Sequence, residues 1–464
     1  MLRKTKIIAT LGPSSDSENM IAKLIKAGTN CFRINFSHTG QEKIEQYILK
    51  IQKTRKKLNV PVSIMVDTCG PEIRVGKFKA GKVLLKKGQS FVLTSKNIDG
   101  DENGVYITQS ICVKDAKVGG TVLANDGRLK FKIIGKKPDA LELKVLTSGE
   151  LSNNKSLSFY GQHFNFDYLN ENDKQKLSTA LKLGVEYISA SFVNTSDDVK
   201  VLRQFVNTYD DQVKIISKIE NLTGLNNLED IVKNSDGVMV ARGDLGVEAS
   251  FEKLPIYQRQ IINTANKFSK ISIVATEMLE SMTTAIRPTR AEISDVAKAV
   301  FDGASCVMLS GESAVGHDPC LCVKTMSNIV KQAECELDYL SKFNELYKNP
   351  KTSNELIIQS AVSSSFFLKC KAIVSYTNHG NNALKLSTKF AKVPIVAITD
   401  NAKIYNALSL MHNTVPILSK KEEDIFNQAK NICLNNKIAK PTDLIIVTTG
   451  TTDNISNVLK FQTL

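Results

Sequence analysis

The sequence predicts an α/β fold: a closed (β/α)8 barrel, an antiparallel β-barrel lid inserted into it, and a C-terminal α/β sandwich domain. Three observations carry that reading. A unit of short apolar strand, polar turn and amphipathic helix recurs through the first and middle thirds of the 464 residues. After the third strand, about eighty residues change to short strands punctuated by glycine turns. Beyond Asp338 a new alternation of helix and strand begins. A chain of this length can bury more than one core.

Taken in order, the strands are KIIATLG from Lys6, CFRINFSH from Cys31, SIMVDTCG from Ser63, YISASFVN from Tyr187, VKIISKIEN from Val213, GVMVARGDLG from Gly237, SIVATEM from Ser272 and CVMLSGES from Cys306. Each is short and apolar, the pattern of a strand covered on both faces. Amphipathic helices flank them: ENMIAKLIKAG after the first, QEKIEQYILKIQKTRKKL after the second, DKQKLSTALKLG before the fourth, DDVKVLRQFVNTY after it, and VKTMSNIVKQAECEL after the eighth. Eight such units predict the parallel plan of a TIM barrel ringed by helices. The interruption (GKVLLKKGQSFVLTS, GTVLANDGRLKFKIIGKK, ALELKVL) reads as antiparallel β structure in the loop after strand three. The last domain runs LIIQSAVSSSFFLK, AIVSYTN, VPIVAITD, TVPILS, DIFNQAKNICLN, DLIIVTT. We assign 1–69 and 158–337 to the barrel, 70–157 to the lid and 338–464 to the C-terminal domain.

Composition narrows the function classes. With 42% hydrophobic and 23% charged residues the chain reads as an ordinary soluble globular protein. No stretch approaches the roughly 18 apolar residues of a membrane span, and MLRKTKIIATLG turns polar too soon for a signal peptide. The expectation is a cytoplasmic protein with no membrane partner. Nine scattered cysteines match neither a disulfide framework nor a zinc spacing, so they read as reduced structural thiols. The formal charge of +14 is spread along the chain, and no basic-aromatic recognition motif accompanies it. Nucleic acid is therefore not expected as a partner. Pro71 to Leu157 carries 16 Lys and Arg against 9 Asp and Glu. That reads as a positive lid over phosphates, against the plainer alternative of a solvated lysine-rich surface.

The strand ends carry the chemistry. In KIISKIEN, Lys218 and Glu220 lie two residues apart in a buried strand and so share one face. Barrels of this kind place their active sites at the C-terminal ends of the strands. There the second strand brings Arg33, Asn35, Ser37 and His38, and the third Asp67, Thr68, Glu72 and Arg74. The sixth adds Arg242, Gly243 and Asp244, the seventh Thr276 and Glu277, and the eighth Ser310 and Glu312. Glu220 and Asp244 are hard oxygen ligands suited to a divalent cation, such as Mg2+, that keeps water and substrate oxygens in its other positions. An ion pair of Lys218 with either acid is the structural alternative. Arg33 and Arg74 can fork onto a phosphoryl group, and Lys218 adds a point charge. Gly243 and Asp244 open a turn into a helix whose N–H groups suit a small carboxylate. Asn35, Ser37, Asp67 and the Thr68 carbonyl make an all-oxygen set suited to a monovalent cation. Positive groups around a metal, with no obvious nucleophile, point to phosphoryl transfer.

From about Arg3 to Pro319 the chain resembles the pyruvate kinases, and more weakly to its C-terminus. The motifs are TLGPSS, FRINFSH, DTCGPEIR, ASFV, ISKIEN, ARGDLGVE, ATEMLESM, RPTRAEISDVA and MLSGES. ISKIEN followed by ARGDLGVE is the most specific of them. The resemblance implies transfer of the phosphoryl group of phosphoenolpyruvate to ADP, giving ATP and pyruvate in the last step of glycolysis, with Mg2+ and K+. It implies Glu220 and Asp244 as Mg2+ ligands, Lys218 as the lysine that steadies phosphoryl group and enolate, and Arg33 and Arg74 as phosphate contacts. It implies Asn35, Ser37, Asp67 and Thr68 as K+ ligands, with Gly243, Asp244 and Thr276 seating the substrate carboxylate. Thr276, Ser310 and Glu312 would route a proton to the enolate carbon, and Pro13, His38, Arg74 and Lys155 would meet the nucleotide. Glu72 stands where the family marks its K+-dependent members. The resemblance further implies a homotetramer whose C-terminal domain takes phosphorylated effectors.

Several positions depart from the family pattern. Cys69 replaces a common lysine and reads as a neutral substitution near the lid hinge. Glu277 replaces a glutamine and is expected to weaken substrate binding. Asn194 stands where a basic residue is frequent, and GELSNNKSLSFYG keeps Lys155 without the usual glycine-proline pattern. In the C-terminal domain YTNHGNNA has lost most hydroxyls, while TTGTTDN keeps Thr448, Thr449, Thr451 and Thr452 as a candidate effector loop. A helix N-cap is the plainer reading of that loop. Two other functions compete. A metal-dependent aldolase or lyase would need neither the lid nor the monovalent site. A regulatory descendant would have lost some of Lys218, Glu220, Asp244 and Thr276, and all four are present.

Overall fold

Side chains along a strand alternate between its two faces, and in this protein eight strands use that alternation to separate an inner bore from an outer, helix-covered surface. The computed structural model describes residues 2–125, 127–162, 164, 166–347, 349–449 and 458–464. The barrel strands are β1 (Lys6–Thr10), β2 (Cys31–Asn35), β3 (Ser63–Asp67), β4 (Tyr187–Ala190), β5 (Lys214–Ile219), β6 (Gly237–Ala241), β7 (Ile271–Ala275) and β8 (Cys306–Leu309). They close in chain order, β8 returning to β1, with every pairing parallel. Ile7, Phe32, Ile64, Ile188, Ile215, Val238 and Val307 point outward under the helices. Ile8, Met65, Tyr187, Ile216, Met239 and Met308 fill the bore. Two residues further along the same strands, the inward positions become Asp67, Ser189 and Lys218. The bore is therefore apolar below and charged at its C-terminal rim.

The helices start where the sequence supplies caps. Thr195 and Thr289 each form a reciprocal box with the acid three residues on, Asp198 and Glu292, a device contributing about 1 kcal/mol per cap.

Between β3 and β4 lies the insertion. A six-stranded sheet and the pair Lys82–Leu85 with Gly149–Ser152 share one apolar core that includes Phe91, Phe131, Leu143 and Leu151. Its pairings are antiparallel except at one edge, where Ser90–Thr94 and Gly104–Tyr106 run in parallel.

The C-terminal domain is a sheet of β9 (Ala372–Tyr376), β10 (Ile395–Thr399), β11 (Thr414–Leu418), β12 (Leu444–Thr449) and β13 (Val458–Thr463), in the order β11-β10-β9-β12-β13. Ile373, Ile395 and Ile446 pack on one face, Val374, Val396 and Val447 on the other. Strand β13 is antiparallel to β12 and is absent from the sequence reading. VLKFQT is half-exposed on an open edge and lacks the apolar run that marks covered strands. Leu408, Leu410 and Met411 join the apolar cluster of the bore, and the Tyr187 hydroxyl donates to the Ala407 carbonyl at 2.7 Å. The C-terminal domain thus stops the N-terminal end of the barrel and leaves the other rim open. No helix among the described residues is long and apolar enough to cross a membrane.

Candidate active site

Lys218 is the centre of the rim. Its ammonium lies 2.8 Å from Glu220 Oε1, 3.4 Å from Asp67 Oδ1 and 2.8 Å from Ser191 Oγ. Burial alone would lower its pKa, but Asp67 and Glu220 reverse that and hold it above the ordinary lysine value. Asp67 accepts from Arg33 Nε at 2.5 Å and from Ser191 Oγ at 3.2 Å. Despite its burial, the charges of Arg33 and Lys218 keep it below the usual carboxylate range. Arg33 reaches Thr10 Oγ1 as well, at 3.1 Å.

Glu220 behaves differently. It is 1% exposed, and its Oε2 accepts from the Phe192 N–H. Its buried Oε1 pairs with the Lys218 ammonium at 2.8 Å. Burial, with Asp244 adding to it, pushes the carboxyl up to about 7 even though Lys218 opposes the shift. A buried carboxylate beside a second one suits a small hard dication. Among the described residues no group of three His, Cys, Asp or Glu side chains is set to hold a metal. A cation here would draw its remaining ligands from substrate and water.

The ends of β6 and β7 interlock. Thr276 (φ 65°) and Glu277 (φ 51°) both sit in the left-handed region, an unusual conformation for a β-branched residue. Arg242 explains how it is held: its guanidinium donates to the Ala275 and Thr276 carbonyls and pairs with Asp295. The Gly243 N–H, expected to be open for a carboxylate, donates to Thr276 Oγ1 at 2.9 Å. Glu312 is fully buried, with its oxygens accepting from Leu279 N at 2.9 Å and Ser310 N at 2.7 Å, while Ser310 Oγ has no hydrogen bond.

A cleft of about 730 Å³ runs between rim and lid. Glu220, Gly243, Asp244, Thr276, Glu277 and Ser310 line its barrel side, and Glu72, Arg128, Ser158 and Phe159 its lid side; Leu157–Tyr160 pairs with Thr121–Ala124, so the lid extends beyond the boundary at 157 expected from sequence. Lid and barrel meet where Ser158 Oγ donates to Glu248 Oε1 at 2.6 Å. Arg74 pairs with Glu72 at 2.7 Å and donates to the Asn154 carbonyl at 2.8 Å. Pro13, Arg33, His38, Arg74, Lys155, Lys218 and Glu312 are not part of the cleft lining. Partial burial, then Arg74 and Arg33, pull the His38 pKa down.

The four monovalent-cation candidates sit on adjoining loops. Asn35 is opposite Asp67 in the β2–β3 register, and the Phe36 N–H donates to the Asp67 carbonyl at 2.9 Å. The Thr68 carbonyl accepts from Ser191 Oγ at 2.7 Å, and Asn35 Oδ1 from the Ser37 N–H at 3.1 Å. Burial and Asp173 raise the Cys69 thiol, in keeping with an unreactive cysteine. Asn194 is engaged locally: its side-chain oxygen accepts from Asn221 Nδ2 at 2.8 Å. In the C-terminal domain the Thr448 hydroxyl is buried and donates to the Val374 carbonyl at 3.2 Å. Thr451 and Thr452 lie outside the described residues.

Sequence reasoning gave no role to Ser191 or Phe192. Ser191 links Lys218, Asp67 and the Thr68 carbonyl, and Phe192, at φ 54°, turns its N–H onto Glu220. Both lie in the ASFV motif, and that motif was the available signal.

Comparison with known proteins identifies the family and agrees with the fold. The family described as pyruvate kinase, barrel domain, matches residues 2–323, and its pyruvate kinase alpha/beta domain matches 355–460. The chain is 36% identical to a pyruvate kinase of Thermotoga maritima over 467 residues, covering 99% of this chain and all of the relative. It is 37% identical to one of Clostridium perfringens over 475 residues, with 99% and 100% covered. The crystal structure of a pyruvate kinase from Cryptosporidium parvum superposes with a TM-score of 0.94 at 33% identity, covering 99% of this chain and 96% of the other. A phosphotransferase by descent, the chain belongs to the pyruvate kinase family.

Proposed function

We propose that the chain catalyses Mg2+- and K+-dependent transfer of the phosphoryl group of phosphoenolpyruvate to ADP, giving ATP and pyruvate. The observation that carries this is the Lys218 ammonium, buried but kept charged between Asp67 and Glu220, the latter lining the cleft. A fixed positive charge in a water-poor site favours a phosphoryl group in transit and the enolate it leaves behind, because the charge is in place before it is needed. Glu220 and Asp244 would hold Mg2+, which when bound supplies further positive charge to the phosphoryl and enolate oxygens. Arg33 and Arg74 orient the phosphate, and Thr276 with the start of the helix Arg242–Glu248 seats the carboxylate. Asn35, Ser37, Asp67 and the Thr68 carbonyl would hold K+, and Glu72 accompanies that dependence. Thr276, Ser310 and Glu312 would pass a proton to the enolate carbon, the step that draws the equilibrium toward ATP.

Pyruvate formation from phosphoenolpyruvate and ADP with Mg2+, in matched K+ and Na+ buffers, tests this on wild type and Lys218→Met. Turnover that needs K+ and collapses in the variant is expected. Absence of turnover in both salts, with phosphorylated activators present, would overturn the reading. A homotetramer is the expected assembly, and sedimentation measures it directly.

A further inference from the structure

The lid leaves the barrel at Cys69–Gly70 and returns at Asn170, where the helix Glu171–Lys182 begins. One side chain ties the two crossings together. Asp173 is 1% exposed, and its carboxylate accepts the Cys69 N–H at 3.0 Å on one oxygen and the Gly70 N–H at 2.8 Å on the other. Asn170 caps the helix by accepting the Asp173 N–H at 2.8 Å, and its amide nitrogen lies 3.2 Å from Asp173 Oδ2 and 3.4 Å from the Gly70 carbonyl. Gly70 fits because it has no side chain. Its φ is +69°, and a Cβ there would meet the Ser191 carbonyl oxygen at 2.8 Å. From the same helical turn, Lys176 donates to the Phe36 carbonyl at 2.6 Å, between Asn35 and Ser37.

We propose that Asp173 and Lys176 are positioning residues: Asp173 clamps the segment by which the lid leaves the barrel, Lys176 pins the turn after β2, and together they hold the two strand ends and turns that carry the monovalent-cation ligands. A carboxylate receiving two backbone N–H groups is a charge-assisted clamp, stronger than neutral hydrogen bonds and fixed in direction. Asp67 and Thr68 immediately precede the clamped pair, and Asn35 and Ser37 flank the pinned carbonyl. Neither residue touches the substrate cleft, so their effect passes through the backbone they hold. The lid's attachment and the cation site therefore share one support. That link between lid and K+ rests on the function proposed above, whereas the clamp itself does not.

Full-length Asp173→Asn tests the clamp by amide hydrogen exchange and its consequence by activation curves. An amide can accept only on its oxygen, so one of the two N–H groups loses its partner. Exchange at Cys69 and Gly70 is expected to quicken about tenfold or more. The K+ concentration for half-activation should rise about tenfold, with Mg2+ half-saturation moving less than about twofold. Lys176→Met should raise the K+ requirement alone and leave exchange at Cys69 and Gly70 at the wild-type rate. Unchanged exchange in Asp173→Asn would overturn the clamp, and K+ and Mg2+ curves that shift equally would overturn the positioning role. A wild type that turns over equally in Na+ would sink the K+ dependence and the link to it, leaving the clamp to be decided by exchange. Should Asp173→Asn fail to fold, Asp173→Glu, which keeps the charge but displaces the carboxylate by one methylene, decides the clamp by the same measurement: faster exchange at Cys69 and Gly70 supports it, and wild-type exchange overturns it.

Discussion

Replacing Lys218 by Met removes a buried cation whose nearest carboxylate oxygens lie 2.8 and 3.4 Å away, and the two acids left behind are not equivalent. Asp67 keeps Arg33 Nε at 2.5 Å and Ser191 Oγ at 3.2 Å, so its charge stays compensated. Glu220 keeps the Phe192 N–H and is still repelled by Asp244. Breaking a buried pair ordinarily costs about 3–5 kcal/mol because a bare charge remains. Glu220 can escape that by taking a proton, since its pKa is already about 7 with Lys218 in place and rises further without it. An acid whose folded pKa lies above its unfolded one lends stability that is present at low pH and lost as pH rises through the folded value. In the wild type that loss is complete a little above pH 7. In the variant it continues upward, adding about 1.4 kcal/mol for each further unit by which the pKa is raised. The stability gap between the two proteins should thus be smaller at pH 6.5 and wider at pH 8.5. Calorimetry of the barrel transition at both pH values measures it. Turnover should fall about a thousandfold, roughly 4 kcal/mol of transition-state stabilisation. A stability gap of equal size at both pH values would refute the assignment of the titrating group to Glu220. Undiminished turnover would refute the role of Lys218.

The same carboxyl makes metal binding pH-dependent. A proton and Mg2+ compete for Glu220, so the Mg2+ concentration for half-saturation should increase toward about tenfold per pH unit as pH falls below 7, and a flat profile from pH 6 to 8 would exclude the competition. Glu277→Gln removes one of the like charges that, after burial and Glu312, hold the Glu280 pKa up at the mouth of the cleft. The KM for phosphoenolpyruvate should then fall about two- to fivefold at low salt, and an unchanged KM would show that Glu277 is too well solvated to matter. Ser158→Ala deletes the 2.6 Å lid contact to Glu248. Nucleotide KM should rise about three- to tenfold with kcat nearly constant, and kinetics identical to wild type would mean that the contact does not help hold the lid.

The barrel was legible because period two is a strong signal where both faces of a strand are buried. Ile216, Lys218 and Glu220 could be placed on one face from spacing alone, and they share it. What stayed hidden depended on meetings between distant segments. The ASFV motif marks Ser191, but not that its hydroxyl will lie between Lys218 and the Thr68 carbonyl, both at the ends of other strands. The Gly243 N–H was expected to be open, but Arg242 holds the β7 terminus in a left-handed turn that brings Thr276 Oγ1 onto that donor. Strand β13 was missed for a plainer reason: an exposed edge strand requires no apolar run.

The charges at the rim explain why the site is poised for a cation. Arg33 and Lys218 contribute two positive charges, and Asp67 and Glu220 two negative ones, all largely withdrawn from water. This quartet alone would be neutral, and every member would have a partner. Asp244 adds a third carboxylate close enough to raise Glu220. Without a metal, the repulsion is relieved by protonating Glu220, the carboxyl that burial and Asp244 raise to about 7. A dication seated on Glu220 and Asp244 would displace the proton and turn the excess of negative charge into an excess of positive charge, which only an anionic substrate can then compensate. Metal should therefore strengthen phosphoenolpyruvate binding, and by linkage the substrate should strengthen metal binding by the same factor.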